Sequence, residues 1–318
     1  MSKVASLAAC LIGLSLQPAA HASSTFYVNP ESAAAQWVKQ HPDSPESAKI
    51  RAAIVNVPSA LWLTGTSQTT DKLTARINLY VLAAQNVQKV PILVAYNLPH
   101  RDCSGGASAG GAGSAAEYRG WIDQLVNGVS YQQAVIVLEP DALADMQCLN
   151  RDNRDERLAL LNYAISSFRQ RAPHADVYLD AGNAGWKPAG LMADELNAAG
   201  VKNARGFALN ISSFYTLAQS RDYGAAINAK LSADHDYTKS IVVDTSRNGN
   251  GAVPGDWCNP PGRRVGIQTQ SLSPNLLALW IKLPGNSDGE SSPKTDCHGG
   301  PAAGTFSAAL AVRLIDGN

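Results

Sequence analysis

The sequence has no excess of charge of either sign. Its 318 residues include 26 basic and 26 acidic side chains, so the formal net charge at pH 7 is 0. Nucleic acids and anionic membrane surfaces attract proteins with a basic excess, and the balance therefore argues against both as partners. With 45% hydrophobic and 16% charged residues, the chain instead suits one globular domain with a large core.

The common spacings of metal ligands are also absent. The five cysteines form no C-x-x-C pair, and the six histidines form no H-x-x-x-H pair. Zinc sites are usually recognised from such spacings. We therefore predict a protein that uses no metal and no other cofactor.

A hydrophobic run long enough to cross a membrane is missing at the N-terminus. Lys3 precedes an apolar run from Val4 to Leu16, and Ala20-His21-Ala22 forms an A-x-A cleavage site before Ser23. This pattern is typical of a secretory signal peptide. A membrane anchor is the alternative, but the run is too short to span a bilayer. We predict that residues 1–22 are removed and that residues 23–318 form one secreted, extracellular domain.

Four cysteines remain after the signal peptide is removed: Cys103, Cys148, Cys258 and Cys297. An even number of cysteines in an oxidising compartment predicts disulfides, and four cysteines allow three pairings. Sequential pairing, Cys103 with Cys148 and Cys258 with Cys297, closes the shortest loops and is the pairing that we prefer.

Seven apolar runs alternate with amphipathic segments along the chain. The runs are Ala60–Thr64, Val90–Asn97, Ala134–Asp141, Asp176–Gly182, Arg205–Ser212, Ser240–Ser246 and Ala278–Gly285. Continuous apolar stretches are typical of strands buried on both faces, and strand–helix repeats predict a parallel sheet with right-handed crossovers. We predict an α/β fold, a closed parallel β/α barrel similar to a TIM barrel. An open doubly wound sheet is the alternative.

Aspartates recur where the predicted strands end. They are Asp102, Asp141, Asp180, Asp244 and Asp288. Since the carboxyl ends of parallel barrel strands share one face, these acids should converge on one mouth. Crowded carboxylates push their pKa values apart, which suits a general acid working beside a base, as glycoside hydrolysis requires.

Each acid also has a structural alternative, because aspartate at a strand end often caps a helix or fixes a turn. We interpret Asp244 and Arg247 as a structural pair. Glu139, two residues before Asp141, is interpreted as a buried acid satisfied by hydrogen bonds.

Four aromatic residues are predicted at the same end: Trp62, Tyr96, Trp186 and Trp257. Core packing is the ordinary role of a lone tryptophan. Trp186 and Trp257, however, lie in segments rich in Gly, Asn and Pro, which favours ligand contact in loops. Flat rings of this kind can stack on sugar faces.

Together these motifs resemble glycoside hydrolase family 6, the inverting cellulases that act on β-1,4-glucan. The resemblance covers residues 24–316 and is carried by Y96-N-L-P-H-R-D-C103, V137-L-E-P-D-A-L143, Y178-L-D-A-G-N-A-G-W186, D244-T-S-R-N-G-N-G251, W257-C-N-P-P-G262 and L279-W-I-K-L-P-G285 with D288-G. It implies a distorted barrel of seven parallel strands, one catalytic domain over residues 23–318, and the sequential disulfides.

The resemblance also implies roles for individual acids. Asp141 corresponds to the general acid that protonates the glycosidic oxygen. Asp102 corresponds to a second aspartate that raises the pKa of this acid and helps to ready a water. Asp288 matches the aspartate often proposed as the base, and Asp180 a further aspartate that supports the site.

Substrate-binding positions follow from the same motifs. Ser108 matches a serine that helps to hold the attacking water, and Tyr96 lies beneath the cleaved sugar ring. The other positions that match sugar-binding residues are Trp62, Trp186, Trp257 and Lys282.

Three positions depart from the family pattern. Asn183 stands where His is frequent, and Ser213 replaces a frequent Asn. Asn286 replaces a Glu beside the sugar site, and we count it among the substrate-binding positions. These changes bear on substrate affinity and specificity, because Asp102 and Asp141 are retained.

We expect a monomer that binds cellulose chains and cleaves internal bonds. The segment after Lys282 and residues 248–274 are too short for the long loops that roof the tunnel of processive members. A cellobiohydrolase acting from chain ends and a non-catalytic β-glucan-binding protein are the alternatives.

Overall fold

The computed structural model describes residues 25–65, 70–104, 106–293 and 295–318. The predicted signal peptide, residues 1–22, lies outside the described residues. Within the described part of the chain, no helix is both long and apolar enough to cross a membrane.

One mostly parallel sheet forms the centre of the fold, in the order β1-β2-β3-β4-β5-β6-β8-β7. Its strands are β1 (Leu61–Leu63), β2 (Ile92–Ala95), β3 (Ala134–Leu138), β4 (Ala175–Asp180), β5 (Gly206–Leu209), β6 (Ser240–Asp244), β7 (Gln270–Ser273) and β8 (Leu276–Leu279). All neighbours are parallel except β7 and β8, which are antiparallel.

The sheet curls until its first parallel strand approaches its last. The contact is a single bridge between Ser59 and Trp280, and the Ala60 amide donates to the Trp280 carbonyl at 2.9 Å. The result is an incompletely closed barrel, and the predicted distorted parallel barrel is confirmed.

The predicted strand count of seven is one short. Seven strands are parallel, as predicted, and β7 is an eighth that pairs with the outer edge of β8. Its residues, Gln-Ser-Leu-Ser, are all exposed. Strand β7 therefore has no apolar run or buried face by which its sequence could reveal it.

Eight helices accompany the strands of the described chain. They are α1 (Ala33–Gln40), α2 (Pro45–Ile50), α3 (Thr70–Asn86), α4 (Ala115–Val129), α5 (Arg151–Arg171), α6 (Ala189–Ala198), α7 (Leu217–His235) and α8 (Ala308–Asp316), with a π-helical turn at Arg51–Val55. Side-chain caps begin several of them. Thr216, for example, forms a reciprocal capping box with Gln219 at the start of α7.

Successive strand residues are buried on opposite faces of the sheet. Leu93 and Ile136 pack outward in the cluster that includes residues of α3 to α7, whereas Val94 and Val137 belong to a cluster with residues of β6 and β8. Burial on both faces explains why these strands read as continuous apolar runs. The C-terminal ends of the parallel strands carry the candidate active site.

Candidate active site

The chain leaves β3 through two residues in the left-handed region. Glu139 has a φ of +51° and Asp141 a φ of +68°, on either side of Pro140. Such a conformation costs energy for a residue with a side chain, so neighbouring contacts must hold it. The Glu139 amide donates to the Ala95 carbonyl at 2.8 Å, and the Asp141 amide donates to Asp180 Oδ2 at 2.8 Å.

Asp141 is surrounded by other carboxyl groups. Burial raises its pKa well above the ordinary range, and the nearby charges of Asp180, Asp102 and Asp145 raise it further. The Lys282 ammonium opposes this shift. Both burial and like charges therefore disfavour the ionised form of Asp141.

Asp180 lies fully buried at the end of β4. Its Oδ2 also accepts the Gly182 amide at 3.1 Å, and its Oδ1 has no hydrogen-bond partner among the described residues. Burial raises the pKa of Asp180 to about 7, against the effect of the amides that it accepts. Asp180 thus fixes the backbone of Asp141 and adds charge beside its carboxyl.

Asp102 lies half-buried in the loop after β2, with a φ of +54°. Its Oδ2 accepts the Ser108 amide at 2.7 Å. Burial raises the pKa of Asp102, and the Ser108 amide works against this shift. Gly106 leaves the space that the carboxylate fills, since a Cβ there would lie 1.9 Å from Asp102 Oδ1.

Two aromatic rings adjoin the acids. Trp62 and Tyr96 meet edge to face with centroids 5.5 Å apart, and Trp62 Nε1 donates to the Ile281 carbonyl at 2.8 Å. Burial raises the pKa of Tyr96, as do the charges of Asp141 and Asp102. The Tyr96 hydroxyl is therefore near enough to both carboxyls for their charges to act on it.

Arg101 is a site residue that the sequence motifs did not indicate. Its guanidinium lies 4.6 Å from the Tyr96 ring centroid and donates to the carbonyls of Tyr96, at 2.5 Å, and Ser108, at 2.9 Å. It holds together the loop that carries Asp102. The only available signal was its position immediately before Asp102 in the sequence.

Asp288 lies between two cations. Arg247 Nη1 contacts its Oδ2 at 2.7 Å, Lys282 Nζ its Oδ1 at 3.1 Å, and the Asn259 amide donates to Oδ2 at 3.0 Å. Burial alone would raise the pKa of Asp288, but Arg247 and Lys282 together hold it below the ordinary value. Asp288 is consequently ionised, and its oxygens are engaged.

The predicted pairing of Asp244 with Arg247 is wrong. Asp244 is fully buried and accepts four backbone amides, those of Ser212, Ser246, Ile281 and Lys282. These amides already stabilise the carboxylate, and the long Arg247 side chain reaches Asp288 instead. Asp244 therefore braces the ends of β6 and β8.

Glu139 is buried and hydrogen-bonded, in agreement with its interpretation from the sequence. It is 1% exposed, and its Oε2 accepts the amides of Asn97 and Leu98 at 2.8 and 3.0 Å.

The two outer tryptophans are exposed, as their loop context predicted. Trp186 is 50% and Trp257 46% exposed. The Trp186 ring lies close to Gly182, where an added Cβ would be 3.2 Å from the ring. Trp257 precedes Cys258, which the second disulfide anchors. Sugar contact by these rings remains a prediction.

Two of the departures from the family pattern contact each other. Asn183 Nδ2 donates to Ser213 Oγ at 3.3 Å, and Asn183 Oδ1 accepts the Gly185 amide at 3.0 Å. Asn286 instead lines a small pocket together with Arg247, Phe214 and residues of α8.

Both predicted disulfides, Cys103–Cys148 and Cys258–Cys297, are present. The first joins the loop that carries Asp102 to the segment after Asp141. In the described part of the chain, one group has metal-ligand composition, Asp145 with Cys103 and Cys148, and both of its sulfurs are in the disulfide.

Comparisons with known proteins agree with this geometry. "Endoglucanase 1" of Streptomyces halstedii is 42% identical over 320 residues, which cover 99% of this chain and 97% of that protein. "Probable 1,4-beta-D-glucan cellobiohydrolase C" of Aspergillus fumigatus is 31% identical over 347 residues, covering 91% of this chain and 75% of that protein.

A solved structure is similar over nearly the whole fold. It is the endoglucanase Cel6 of Mycobacterium tuberculosis in complex with methyl-cellobiosyl-4-deoxy-4-thio-β-D-cellobioside. The TM-score is 0.83 and the identity 38%, with 93% of this chain and 98% of that chain covered. The family described as "Glycosyl hydrolases family 6" matches residues 21–318. The chain therefore belongs to glycosyl hydrolase family 6 and is a cellulase of that family.

Proposed function

We propose that this enzyme is a secreted endoglucanase, which hydrolyses internal β-1,4-glucosidic bonds of cellulose and β-glucan with inversion at the anomeric carbon. The observation that carries the proposal is the group of carboxyls at the strand ends: Asp141, whose amide donates to Asp180 Oδ2, together with Asp102 in the neighbouring loop. Burial and the neighbouring carboxyls raise the pKa of Asp141, which suits a general acid.

In the proposed reaction, Asp141 protonates the leaving glycosidic oxygen while a water attacks the anomeric carbon from the opposite face. Inverting glycosidases place the two participating carboxyls about 6.5–9.5 Å apart to admit this water. Asp141 then ionises, and the product has the opposite anomeric configuration. Tyr96 and Trp62 form the apolar wall on which the sugar ring rests.

We assign acceptance of the water's proton to Asp102 rather than to Asp288. A carboxylate held by two cations and an amide is a weak base, and this is the situation of Asp288. Asp102 has a raised pKa and is half-buried, so it can receive a proton, directly or through one further water. Ser108, whose amide binds Asp102, lies beside the route by which the proton passes from the water to Asp102. Asp288 has a different role, which is to orient Lys282 toward the sugar.

Cleavage of internal bonds is supported by the relatives and by loop length. The S. halstedii relative that spans 99% of this chain is named an endoglucanase. Residues 248–274 and the segment after Lys282 are short, which favours an open cleft over a roofed tunnel. The A. fumigatus relative makes action from chain ends the second candidate. Secretion rests on the signal-peptide pattern of residues 1–22.

Two measurements test the proposal. Random internal cleavage should lower the viscosity of carboxymethylcellulose steeply while few reducing ends appear, whereas slow viscosity loss with steady cellobiose release would show exo action. Proton NMR of cellopentaose hydrolysis should show the α-anomer of the new reducing end first. Initial formation of the β-anomer would exclude inversion.

A further inference from the structure

Glu139 binds the loop that follows β2. Its Oε2 accepts the amides of Asn97 and Leu98, at 2.8 and 3.0 Å, although Glu139 itself follows the neighbouring strand, β3. The side chain is 1% exposed. Burying a carboxyl is costly unless it is hydrogen-bonded, and here both bonds join one strand end to the next.

Arg157 of α5 binds the next two residues of the same loop. Its Nη2 donates to the carbonyls of His100, at 2.8 Å, and Pro99, at 3.5 Å, and its Nη1 donates to the Ala142 carbonyl at 2.8 Å. Arg157 is 3% exposed. One buried cation therefore connects the loop that carries Asp102 to the segment that begins with Asp141.

Between them, the two side chains bind the backbone of four consecutive residues. The carboxyl takes the amides of residues 97 and 98, and the guanidinium takes the carbonyls of residues 99 and 100. The loop then passes through left-handed conformations at His100 and Asp102, with φ values of +56° and +54°. A strained backbone of this kind persists only where surrounding contacts hold it.

We propose that Glu139 and Arg157 act as a pair of positioning residues, which set the distance between the carboxyls of Asp102 and Asp141. Neither side chain touches substrate; each acts through the backbone of the two loops. The inference rests on the proposed roles of Asp141 as acid and Asp102 as proton acceptor.

The pair works in both protonation states of Glu139. The groups that influence this carboxyl are Tyr118 from α4, Arg101 and Tyr96 from the loop after β2, and Arg157 from α5. Burial raises the pKa of Glu139 to about 7. Below that pH the neutral carboxyl still has a carbonyl oxygen that accepts the two amides.

If Glu139 and Arg157 had a purely structural role, replacing them would also lower activity, because the enzyme would unfold. The test must therefore separate a positioning role from a structural one. The variants are Glu139→Ala, Glu139→Gln and Arg157→Lys, with Leu231→Val of α7 as a control for lost core packing. Each is measured in the full-length enzyme for kcat and KM on cellotetraose, well below its melting temperature. The same substitutions are then combined with Asp102→Asn.

We expect Glu139→Ala and Arg157→Lys to lower kcat by at least about tenfold with KM nearly unchanged, because misplaced reacting groups slow chemistry more than binding. Glu139→Gln should keep most activity, since its amide oxygen still accepts from Asn97 and Leu98. In the Asp102→Asn background, Glu139→Ala should cost less than about twofold, because residues that act through one group are non-additive.

The proposal is overturned if Glu139→Ala and Arg157→Lys lose no more kcat than Leu231→Val. It is equally overturned if Glu139→Ala lowers kcat by the same factor in the Asp102→Asn background as in the wild type. Should Glu139→Ala fail to fold, Arg157→Lys and its combination with Asp102→Asn decide the question. Failure of the proposed function would appear differently, as undiminished activity in Asp141→Ala.

Discussion

The Asp141 amide donates a 2.8 Å hydrogen bond to Asp180 Oδ2. The same carboxyl group therefore helps to hold the backbone of Asp141 in its left-handed conformation and adds to the rise in the pKa of the Asp141 side chain that burial causes. Asp180, at the end of the neighbouring strand, therefore affects both the position and the pKa of the proposed acid.

Replacing Asp180 with Asn should separate these two effects. The amide oxygen of Asn can still accept from the Asp141 amide, whereas the negative charge beside Asp141 is lost. The pKa of Asp141 should fall, and the alkaline limb of the kcat/KM profile on cellotetraose should move to lower pH by about one unit.

Asp176→Asn is the matched control, because Asp176 lies exposed at the start of β4, opposite the mouth. Its pH profile should equal that of the wild type. An alkaline limb that stays in place in Asp180→Asn would show that Asp180 does not set the acidity of Asp141.

Replacing Gly106 with Ala should displace Asp102. A Cβ at this position would lie 1.9 and 2.1 Å from the two carboxylate oxygens of Asp102, which must then move. We expect kcat on cellotetraose to fall by about tenfold or more, with a smaller change in KM.

Gly120→Ala in α4 is the control, because no heavy atom lies within 4 Å of its added Cβ. It should keep full activity and raise stability by about 0.5–1 kcal/mol, as alanine does inside a helix. Wild-type kcat in Gly106→Ala would refute the tight packing of this loop against Asp102.

Thermal stability should decrease between pH 5 and pH 8. Burial raises the pKa of Glu139 from 4.5 to about 7, and that of Asp180 to about 7. A carboxyl whose pKa is raised in the folded state stabilises the fold fully when the pH is below its ordinary, unfolded-state pKa. This stabilisation is lost as the pH rises through the folded-state pKa. Each such group changes the free energy of unfolding by up to about 1.4 kcal/mol per pH unit.

Glu139→Gln should therefore flatten the fall in melting temperature without abolishing it, because Asp180 still titrates. A melting temperature that rises steadily from pH 5 to pH 8 would contradict the assigned burial of these acids. Below pH 4 the trend should reverse, since Asp288 has a lowered pKa and its pairing with Arg247 is lost as it takes up a proton.

The placement of the site was largely predictable, because it follows from topology. Once β3 and β4 are identified as buried parallel strands, Asp141 and Asp180 must lie at the same end of the sheet. The disulfide pairing followed from loop length, and the exposure of Trp186 and Trp257 followed from their glycine-rich surroundings.

The contacts that were predicted wrongly or not at all are made by long side chains to residues that are distant in the sequence. Arg247 contacts Asp288 and not Asp244, which lies three residues before it in the sequence. Arg157 donates to backbone carbonyls that lie 57 and 58 residues earlier in the chain. No periodicity records such contacts. Strand β7 was missed for another reason, since it is exposed and polar.

Replacing Trp257 with Ala should weaken binding of long chains. The ring is 46% exposed and lies in the loop anchored by Cys258, so it offers a stacking surface for sugar. KM on carboxymethylcellulose should rise several-fold, whereas kcat on cellotriose should change little. Tyr131→Ala is the control, because Tyr131 is 69% exposed in the turn between α4 and β3, at the opposite end of the barrel. Equal effects of the two substitutions would remove Trp257 from the substrate cleft.

The most direct test of Asp141 as the general acid compares two leaving groups in Asp141→Ala. Cellotetraose needs a proton on its leaving oxygen, whereas dinitrophenyl β-cellobioside has a leaving group that departs without one. General acid catalysis contributes a factor of about 10²–10⁴ to the rate. We therefore expect kcat on cellotetraose to fall by about 10²-fold or more, while kcat on the aryl glycoside is largely retained. Equal losses on both substrates, or full activity on cellotetraose, would contradict the assignment.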